Sequence, residues 1–167
     1  MPQENQLLLK LSFPFCYRKC AYCGQNVCSY DDKVLKAYGQ AMEAEMEAAA
    51  AEMPDAVIPA ISIEGGSPAL ASPEMLQNLL RFMRKNFPLA EDVQIQIQIM
   101  PGQFSRSLIQ RLQDTGVNFW TIGLETADLK EHDLLGRPYR FDALTMVDTA
   151  IRTFHMEKLN FSLLYGI

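Results

Sequence analysis

Three cysteines close together carry the clearest chemical signal in the chain. Cys16, Cys20 and Cys23 form a C-x3-C-x2-C run. Iron–sulfur clusters are held by Cys thiolates, and three thiolates on one tight loop can bind three corners of a [4Fe–4S] cube. The fourth iron is then open to an exchangeable ligand. The spacing therefore predicts a site built for chemistry rather than for electron storage.

A structural zinc site and disulfide bonds are the two alternatives to an iron–sulfur cluster. A structural zinc site favours paired Cys-x2-Cys units and four ligands, whereas the remaining cysteine, Cys28, has no second pair beside it. Disulfides are disfavoured because no secretory signal precedes the cysteines, which indicates a reducing, cytoplasmic location. Cys28 itself is predicted to be a small buried hydrophobe.

Composition and charge limit the classes of binding partner that the chain can have. The 167 residues carry a net charge of −5, are 49% hydrophobic, and contain no apolar run long enough to cross a bilayer. Nucleic-acid binding relies on clustered Lys and Arg, and the nearest approach to such a cluster, Arg81, Arg84 and Lys85, is better explained by a solvated helix face. We therefore expect neither a nucleic-acid nor a membrane partner.

Strand and helix patterns alternate along the chain. Strands are predicted at 7–13, 56–63, 93–99, 117–124 and 159–164, the second of them broken at its start by Pro59. Helices are predicted to begin at the capping residues Asp31, Ser72, Ser105 and Asp142. The inward-facing residues are predicted to include Val34, Leu35, Met42, Leu76, Leu79, Met83, Ile109, Leu112, Leu144, Val147, Ile151 and Phe154.

Repeated strand–helix units imply a parallel sheet, and five of them predict an α/β fold with an incomplete parallel β/α barrel. In such barrels the functional groups gather at the C-terminal ends of the strands. The cysteine loop, the turn from Glu64 through Gly65, Gly66 and Ser67, then Gln98, then Glu125 all follow strands in this way. One rim is therefore predicted to collect the candidate site.

Three of these features have structural alternatives. A glycine pair allows backbone to approach a ligand closely, but glycines also simply mark strand exits. The third strand alternates aliphatic residues with Gln94, Gln96 and Gln98, which places the glutamines in a polar barrel lumen, or on the wet face of an edge strand. Glu125 could also be an acid at a helix N-terminus.

The cysteine run, with Pro14-Phe15-Cys16 and Cys20-Ala21-Tyr22-Cys23 around it, resembles the radical S-adenosylmethionine (radical SAM) enzymes, and in particular the oxygen-independent coproporphyrinogen III oxidase branch. The resemblance implies a [4Fe–4S] cluster and SAM as cofactors, and a flavodoxin or ferredoxin as reductant. It also implies reductive cleavage of SAM to a 5′-deoxyadenosyl radical and a small-molecule substrate of the tetrapyrrole class. A haem-binding protein on the same scaffold and a catalytically inert barrel are the alternatives.

The resemblance also implies residue roles. Cys16, Cys20 and Cys23 would hold the cluster. The SAM contacts would be Gly65, Gly66, Ser67, Gln98, Glu125 and Arg137.

Several positions depart from that branch. Lys10 and Ser12 stand where it has Tyr and His, Glu64 replaces a glycine, Gln98 replaces a Glu, and Ser162 replaces an Asp. These changes fall at positions that face cofactor or substrate, so a divergent, coproporphyrinogen dehydrogenase-like member is expected, whose substrate need not be coproporphyrinogen itself. His132 and His155 lack a second ligand at metal spacing and are expected on helix surfaces.

The last residues of the sequence suggest how the chain is organised into domains. The resemblance describes residues 1–167 as a radical SAM core domain, and resembling proteins continue after a segment like Leu164-Tyr165-Gly166 with a last barrel strand and a C-terminal domain. The chain is therefore expected to be a fragment of a longer protein with an exposed sheet edge.

Overall fold

A five-stranded parallel sheet packed against helices dominates the computed structural model, which describes residues 6–103, 105–137 and 142–167. The elements in chain order are β1 (Gln6–Ser12), β2 (Phe15–Cys16), β3 (Cys28–Ser29), α1 (Asp32–Glu52), β4 (Val57–Glu64), α2 (Pro73–Asn86), β5 (Leu89–Ile99), α3 (Arg106–Asp114), β6 (Phe119–Glu125), α4 (Leu129–Leu134), α5 (Ala143–Asp148), a π-helical turn (Thr149–Thr153) and β7 (Leu159–Leu163).

The strand order of the main sheet is β1-β4-β5-β6-β7, and every pairing is parallel. Each strand therefore pairs with the next long strand in the sequence, which is the winding of a β/α barrel. The predicted α/β class and incomplete parallel barrel are confirmed. Among the described residues, no helix is both long enough and apolar enough to span a bilayer.

The predicted helix caps form as local chemistry requires. The Asp31 carboxylate accepts hydrogen bonds from the backbone N–H groups of Lys33 and Val34, at 2.9 and 3.0 Å. Ser72 and Ser105 accept from the backbone three residues later, at 3.1 and 3.2 Å. Each cap satisfies backbone donors that the first helical turn leaves free, so these helices start where the sequence predicts.

The sheet has an apolar outer face and a polar inner face. Ile95, Ile97 and Ile99 of β5 are buried in the core with the helix residues, while the glutamines that alternate with them, Gln94, Gln96 and Gln98, are only half-buried. The strand register places Lys10 beside Ser62, and Ser62 beside Gln96. We call the inner side the lumen face; its positions on the described strands are Leu8, Lys10, Ser12, Ala60, Ser62, Glu64, Gln94, Gln96, Gln98, Phe119, Thr121, Gly123, Asn160 and Ser162.

The position of β5 decides between the two interpretations of its glutamines. This strand lies in the centre of the sheet, with β4 on one side and β6 on the other, so the edge-strand alternative is wrong. The glutamines belong to the lumen face, and the sheet edges are β1 and β7.

Some packing predictions are wrong. Val34 and Ile151 are exposed, at 55% and 52%, and the predicted last long helix is instead the short α5 followed by the π-helical turn. The extra residue per turn of a π-helix rotates the residues after it, so a regular 3.6-residue pattern fails there. The predicted inward side chain of Leu144 lies outside the described residues.

Pro59 does not break the second predicted strand, because β4 runs through it. A register shift occurs between Ile58 and Ala60, where β4 pairs with β5. Proline has no backbone donor, and an irregular pairing accommodates the missing hydrogen bond.

Candidate functional site

The cysteine loop leaves β1 and is closed by the small parallel pair of β2 and β3. The backbone N–H of Cys28 donates to the Pro14 carbonyl at 2.7 Å, and that of Tyr30 donates to the Cys16 carbonyl at 3.0 Å. Cys16 and Cys20 are buried and Cys23 is half-buried. The pairing holds both ends of the loop together, so the three predicted cluster ligands lie on one closed segment.

A second segment, which comes after α4, holds the outer side of this loop. The backbone N–H of Ala21 donates to the Leu135 carbonyl at 2.8 Å. The Arg137 guanidinium donates through Nη1 to the Tyr22 hydroxyl at 2.7 Å. The segment Leu135-Gly136-Arg137 therefore contacts the cysteine loop across more than a hundred residues of sequence.

The glycine turn after β4 packs directly under the first cysteine. The backbone N–H of Phe13 donates to the Glu64 carbonyl at 2.8 Å, and Gly65 has a positive φ of 96°. A Cβ on Gly66 would lie 2.6 Å from the Phe15 carbonyl oxygen and 3.0 Å from the Cys16 sulfur. Only a residue without a side chain fits at this contact.

Gly66→Ala is therefore expected to lower the free energy of unfolding by about 1–3 kcal/mol, the usual cost of overpacking, and to reduce cluster assembly by displacing Cys16. Urea unfolding and iron content measure the two effects. Gly24→Ala, in the same loop, is the matched control because a Cβ there meets nothing within 4 Å. Equal behaviour of the two variants would contradict the prediction.

Ser67, a predicted SAM contact, is buried and bound within the protein. Its hydroxyl oxygen accepts a hydrogen bond from Gln103 Nε2 at 2.6 Å, and Gln103 Oε1 accepts from the Met100 backbone N–H at 3.1 Å. These bonds tie the glycine turn to the end of β5. Ser67 is thus next to the site but directed towards the neighbouring strand.

Glu125 and Arg137 form a buried ion pair at the end of β6. Arg137 Nη1 lies 3.3 Å from Glu125 Oε1, with the side chains 0% and 11% exposed. Arg137 Nη2 also donates to the Gly123 carbonyl oxygen. Glu125 has a positive φ of 64°, a costly conformation for a residue with a side chain. The strand end is thus bent so that the carboxylate meets the guanidinium, and Glu125 is not the helix N-terminal acid of the structural alternative.

Three buried polar atoms in this region have no hydrogen-bond partner in the described structure. Within the described part of the chain, Arg137 Nε, Thr121 Oγ1 and Ser162 Oγ are buried and have no hydrogen-bond partner. Thr121 and Ser162 lie on the lumen face of β6 and β7. Unsatisfied buried polar groups are rare in folded proteins, and functional sites are one place where they occur.

Burial controls the acidity of the thiols. Desolvation raises the pKa of Cys16 to about 11, and the neighbouring Cys20, Cys23 and Cys28 add to the rise. Burial also raises the pKa of Cys20, partly offset by the Arg137 charge. Metal ligands must lose their protons, so cluster assembly in this loop must displace protons from the thiols.

A cavity of about 210 Å³ joins these features. The predicted site residues along its wall are Cys16, Cys20, Cys23, Gly65, Gly66, Gln98 and Glu125. Ser67 and Arg137 do not line the cavity, but each adjoins a residue that does: Ser67 follows Gly66, and Arg137 pairs with Glu125. A larger cavity of about 400 Å³ lies between α3 and the end of the π-helical turn with the two residues that follow it, and no thiol lines it.

The donor set fits a three-thiolate cluster better than a zinc ion. Among the described residues, no three His, Cys, Asp or Glu side chains converge closely enough to hold a single metal ion. The thiolates of a [4Fe–4S] cube bind separate irons and need not converge in this way. Gly65 and Gly66 line the same cavity as the cysteines, and a ligand of the fourth iron would bind in this cavity.

Three smaller expectations need correction. Cys28 is exposed rather than buried, and its sulfur lies 3.4 Å from the Pro14 carbonyl oxygen. His132 lies on α4 but is only 1% exposed, so it is a core residue. His155 is exposed as expected, but it comes after the π-helical turn with a positive φ of 51° instead of lying on a helix.

Sequence reasoning gave no role to Tyr22, Met100 and Gly123, which also line the cavity. Tyr22 had a signal, because it lies between two cysteines and its hydroxyl needs a partner. Burial raises the pKa of this hydroxyl, which keeps it neutral. Met100 and Gly123 line the cavity because they lie at or near the ends of β5 and β6, and no local sequence pattern marks them.

Known families and proteins share this arrangement of the chain. The family model described as "Radical SAM superfamily" matches residues 11–161. The chain is 26% identical to the oxygen-independent coproporphyrinogen III oxidase of Paracoccus denitrificans, covering 100% of this chain and 38% of that protein. It is 25% identical to the protein of the same name from Bradyrhizobium diazoefficiens, with the same coverage. The chain thus spans well under half the length of these relatives.

Solved structures show the same fold. Coproporphyrinogen III oxidase (HemN) from Escherichia coli superimposes with a TM-score of 0.86 at 20% identity, over 100% of this chain and 38% of that chain. A structure of anSMEcpe with bound AdoMet gives a TM-score of 0.54 at 24% identity, over 95% of this chain and 41% of that chain.

Proposed function

The chain belongs to the radical SAM superfamily, and we propose that it acts as an oxidoreductase that reductively cleaves SAM at the cavity beside the cysteine loop. The superfamily's cofactors are a [4Fe–4S] cluster and SAM. The observation that carries the proposal is the single cavity wall shared by the three cysteines, the glycine turn, Gln98 and Glu125. Cluster ligands and SAM contacts must adjoin one another for SAM to reach the open iron.

Each group on this wall has a role in the proposal. Cys16, Cys20 and Cys23 would each hold one iron of the cluster. When bound, the cluster and SAM would supply radical chemistry, namely one-electron reductive cleavage of the SAM sulfonium and hydrogen-atom abstraction from the substrate. The protein binds, orients and shields the reacting groups.

The residues around the cysteines position SAM. Gly65 and Gly66 line the cavity beside Cys16 and offer backbone groups to the methionine moiety, and the Gln98 amide offers a donor and an acceptor. Arg137 holds one oxygen of Glu125, which leaves the second oxygen to accept a hydrogen bond from the ribose hydroxyls. Ser67 supports the turn through Gln103.

The substrate proposal rests on the relatives. Their names specify coproporphyrinogen III, so we propose a tetrapyrrole or a related carboxylate-bearing molecule as substrate. Because Lys10, Ser12 and Ser162 differ from that branch, the substrate need not be coproporphyrinogen itself. A flavodoxin or ferredoxin in the reducing cytoplasm supplies the electron.

The test is anaerobic reconstitution with iron and sulfide, followed by electron paramagnetic resonance of the reduced protein with and without SAM. We expect a cubane signal that shifts when SAM binds the open iron, and 5′-deoxyadenosine as a product after reduction. A cluster signal indifferent to SAM, or failure of the wild-type chain to assemble a cluster, would show that this chain is not a competent radical enzyme. Haem binding without SAM cleavage would favour the carrier alternative.

A further inference from the structure

The lumen face carries one cationic side chain on the described strands. Its other positions bear hydroxyls, amides, apolar groups and the Glu64 carboxylate, and Lys10 on β1 is the one cation among them. Arg137 also reaches the inner side, but its side chain is fully buried and bound to Glu125, Gly123 and Tyr22. Arg18 and Lys19 of the cysteine loop are also exposed and line the neighbouring cavity. In the described structure, a negatively charged molecule that reaches the lumen face of the strands therefore meets Lys10 as the accessible cation of that face.

Lys10 is held by Glu64. The register aligns Lys10 with Ser62 and Ser12 with Glu64, so Lys10 and Glu64 are diagonal neighbours on the same face of adjacent strands. Their ammonium and carboxylate groups form an ion pair. Both residues replace an uncharged residue of the resembling branch, so two separate departures of this sequence form one contact.

The ion pair lies on the lumen face next to the cavity that is proposed to bind SAM. Gly65 comes directly after Glu64, and Gln96, in the same row as Lys10, lies two residues before the cavity residue Gln98 on β5. Lys10 thus faces the lumen next to the cavity in which the radical would form. A group bound to Lys10 would lie on the substrate side of the site.

The contact is exchangeable. The Lys10 side chain is 66% exposed and that of Glu64 is 27% exposed, and such solvated ion pairs add little stability because water screens them. A ligand carboxylate can therefore replace Glu64 as the partner of the ammonium, and the displaced Glu64 side chain can turn to solvent. The Arg137–Glu125 pair, which is buried, does not have this freedom.

We propose that Lys10 is the binding contact for a carboxylate group of the substrate, and that Glu64 occupies this contact until the substrate arrives. The inference deepens the proposed function, because it assigns a carboxylate-bearing substrate class to the lumen beside the SAM site. Lys10 selects for the negative charge, and Glu64 lowers affinity for that charge.

The test uses coproporphyrin III, a porphyrin with four carboxylates, as a fluorescent probe titrated with the reconstituted full chain. Lys10→Gln is expected to weaken probe binding about tenfold, the usual effect of losing one charge-assisted hydrogen bond. Glu64→Gln is expected to tighten binding several-fold, and the double variant to behave like Lys10→Gln. Lys85→Gln is the matched control, since it removes the same charge from the exposed end of α2.

Two further readouts separate this inference from the proposed function. A porphyrin with neutral amides in place of the carboxylates should bind wild type and Lys10→Gln equally. Production of 5′-deoxyadenosine by the wild-type chain tests SAM cleavage independently. If SAM is cleaved but Lys10→Gln binds coproporphyrin III as Lys85→Gln does, or if wild type does not bind it, the carboxylate contact is overturned. Lys10-dependent binding without SAM cleavage would overturn the proposed function alone.

Discussion

Replacing Cys16, Cys20 or Cys23 with alanine is expected to abolish cluster assembly. Reconstituted wild-type chain should contain about four irons and four sulfides, the content of one [4Fe–4S] cube, and each variant close to none. The reason is that three thiolates are the whole protein donor set proposed for the cluster. Iron and sulfide analysis after removal of unbound metal measures the effect.

Cys28→Ala provides the control for this experiment. Cys28 lies in β3, which closes the same loop, but it is exposed and outside the cavity wall. The Cys28→Ala variant should retain wild-type iron content and the SAM-dependent shift of the resonance signal. Loss of the cluster in Cys28→Ala, or its retention in any one of the other three variants, would refute the assignment.

Arg137→Met is expected to lower the free energy of unfolding by about 3–5 kcal/mol, because it leaves the Glu125 carboxylate buried without its partner. Methionine keeps much of the side-chain volume, so the loss reports on charge rather than on a cavity. It should also prevent the SAM-dependent signal shift, because Glu125 loses its position. Urea unfolding and resonance spectroscopy measure the two effects.

A double variant distinguishes loss of the pair from general damage. Glu125→Gln in the Arg137→Met background removes the unpaired charge and should recover a substantial part of the lost stability. Arg152→Met is the matched control, because its partner Asp148 forms an exposed pair, with side chains 79% and 59% exposed, and its loss should cost under about 1 kcal/mol. If Arg137→Met and Arg152→Met cost the same, the buried pair does not have this role.

Local patterns predicted most of the framework. The caps at Asp31, Ser72 and Ser105 and the alternation in β5 depend on neighbours within a few residues, and they appear as expected. The same locality explains the failures. Ile151 is exposed because the π-helical turn shifts the periodicity, and His132 is buried because α4 packs its polar side chain inward, which a hydrophobic pattern does not signal.

The sequence by itself determined the α/β class, the rim on which the functional groups gather and the cysteines that mark it, since strand order is set by repeated strand–helix units. Only the tertiary structure decided which charges meet. Lys10 and Glu64 are paired by the register of β1 against β4, and Glu125 and Arg137 by the bend at the end of β6. These contacts join residues 54 and 12 positions apart in sequence, beyond the reach of a helical or strand repeat, and their energy depends on burial and distance, which periodicity does not encode.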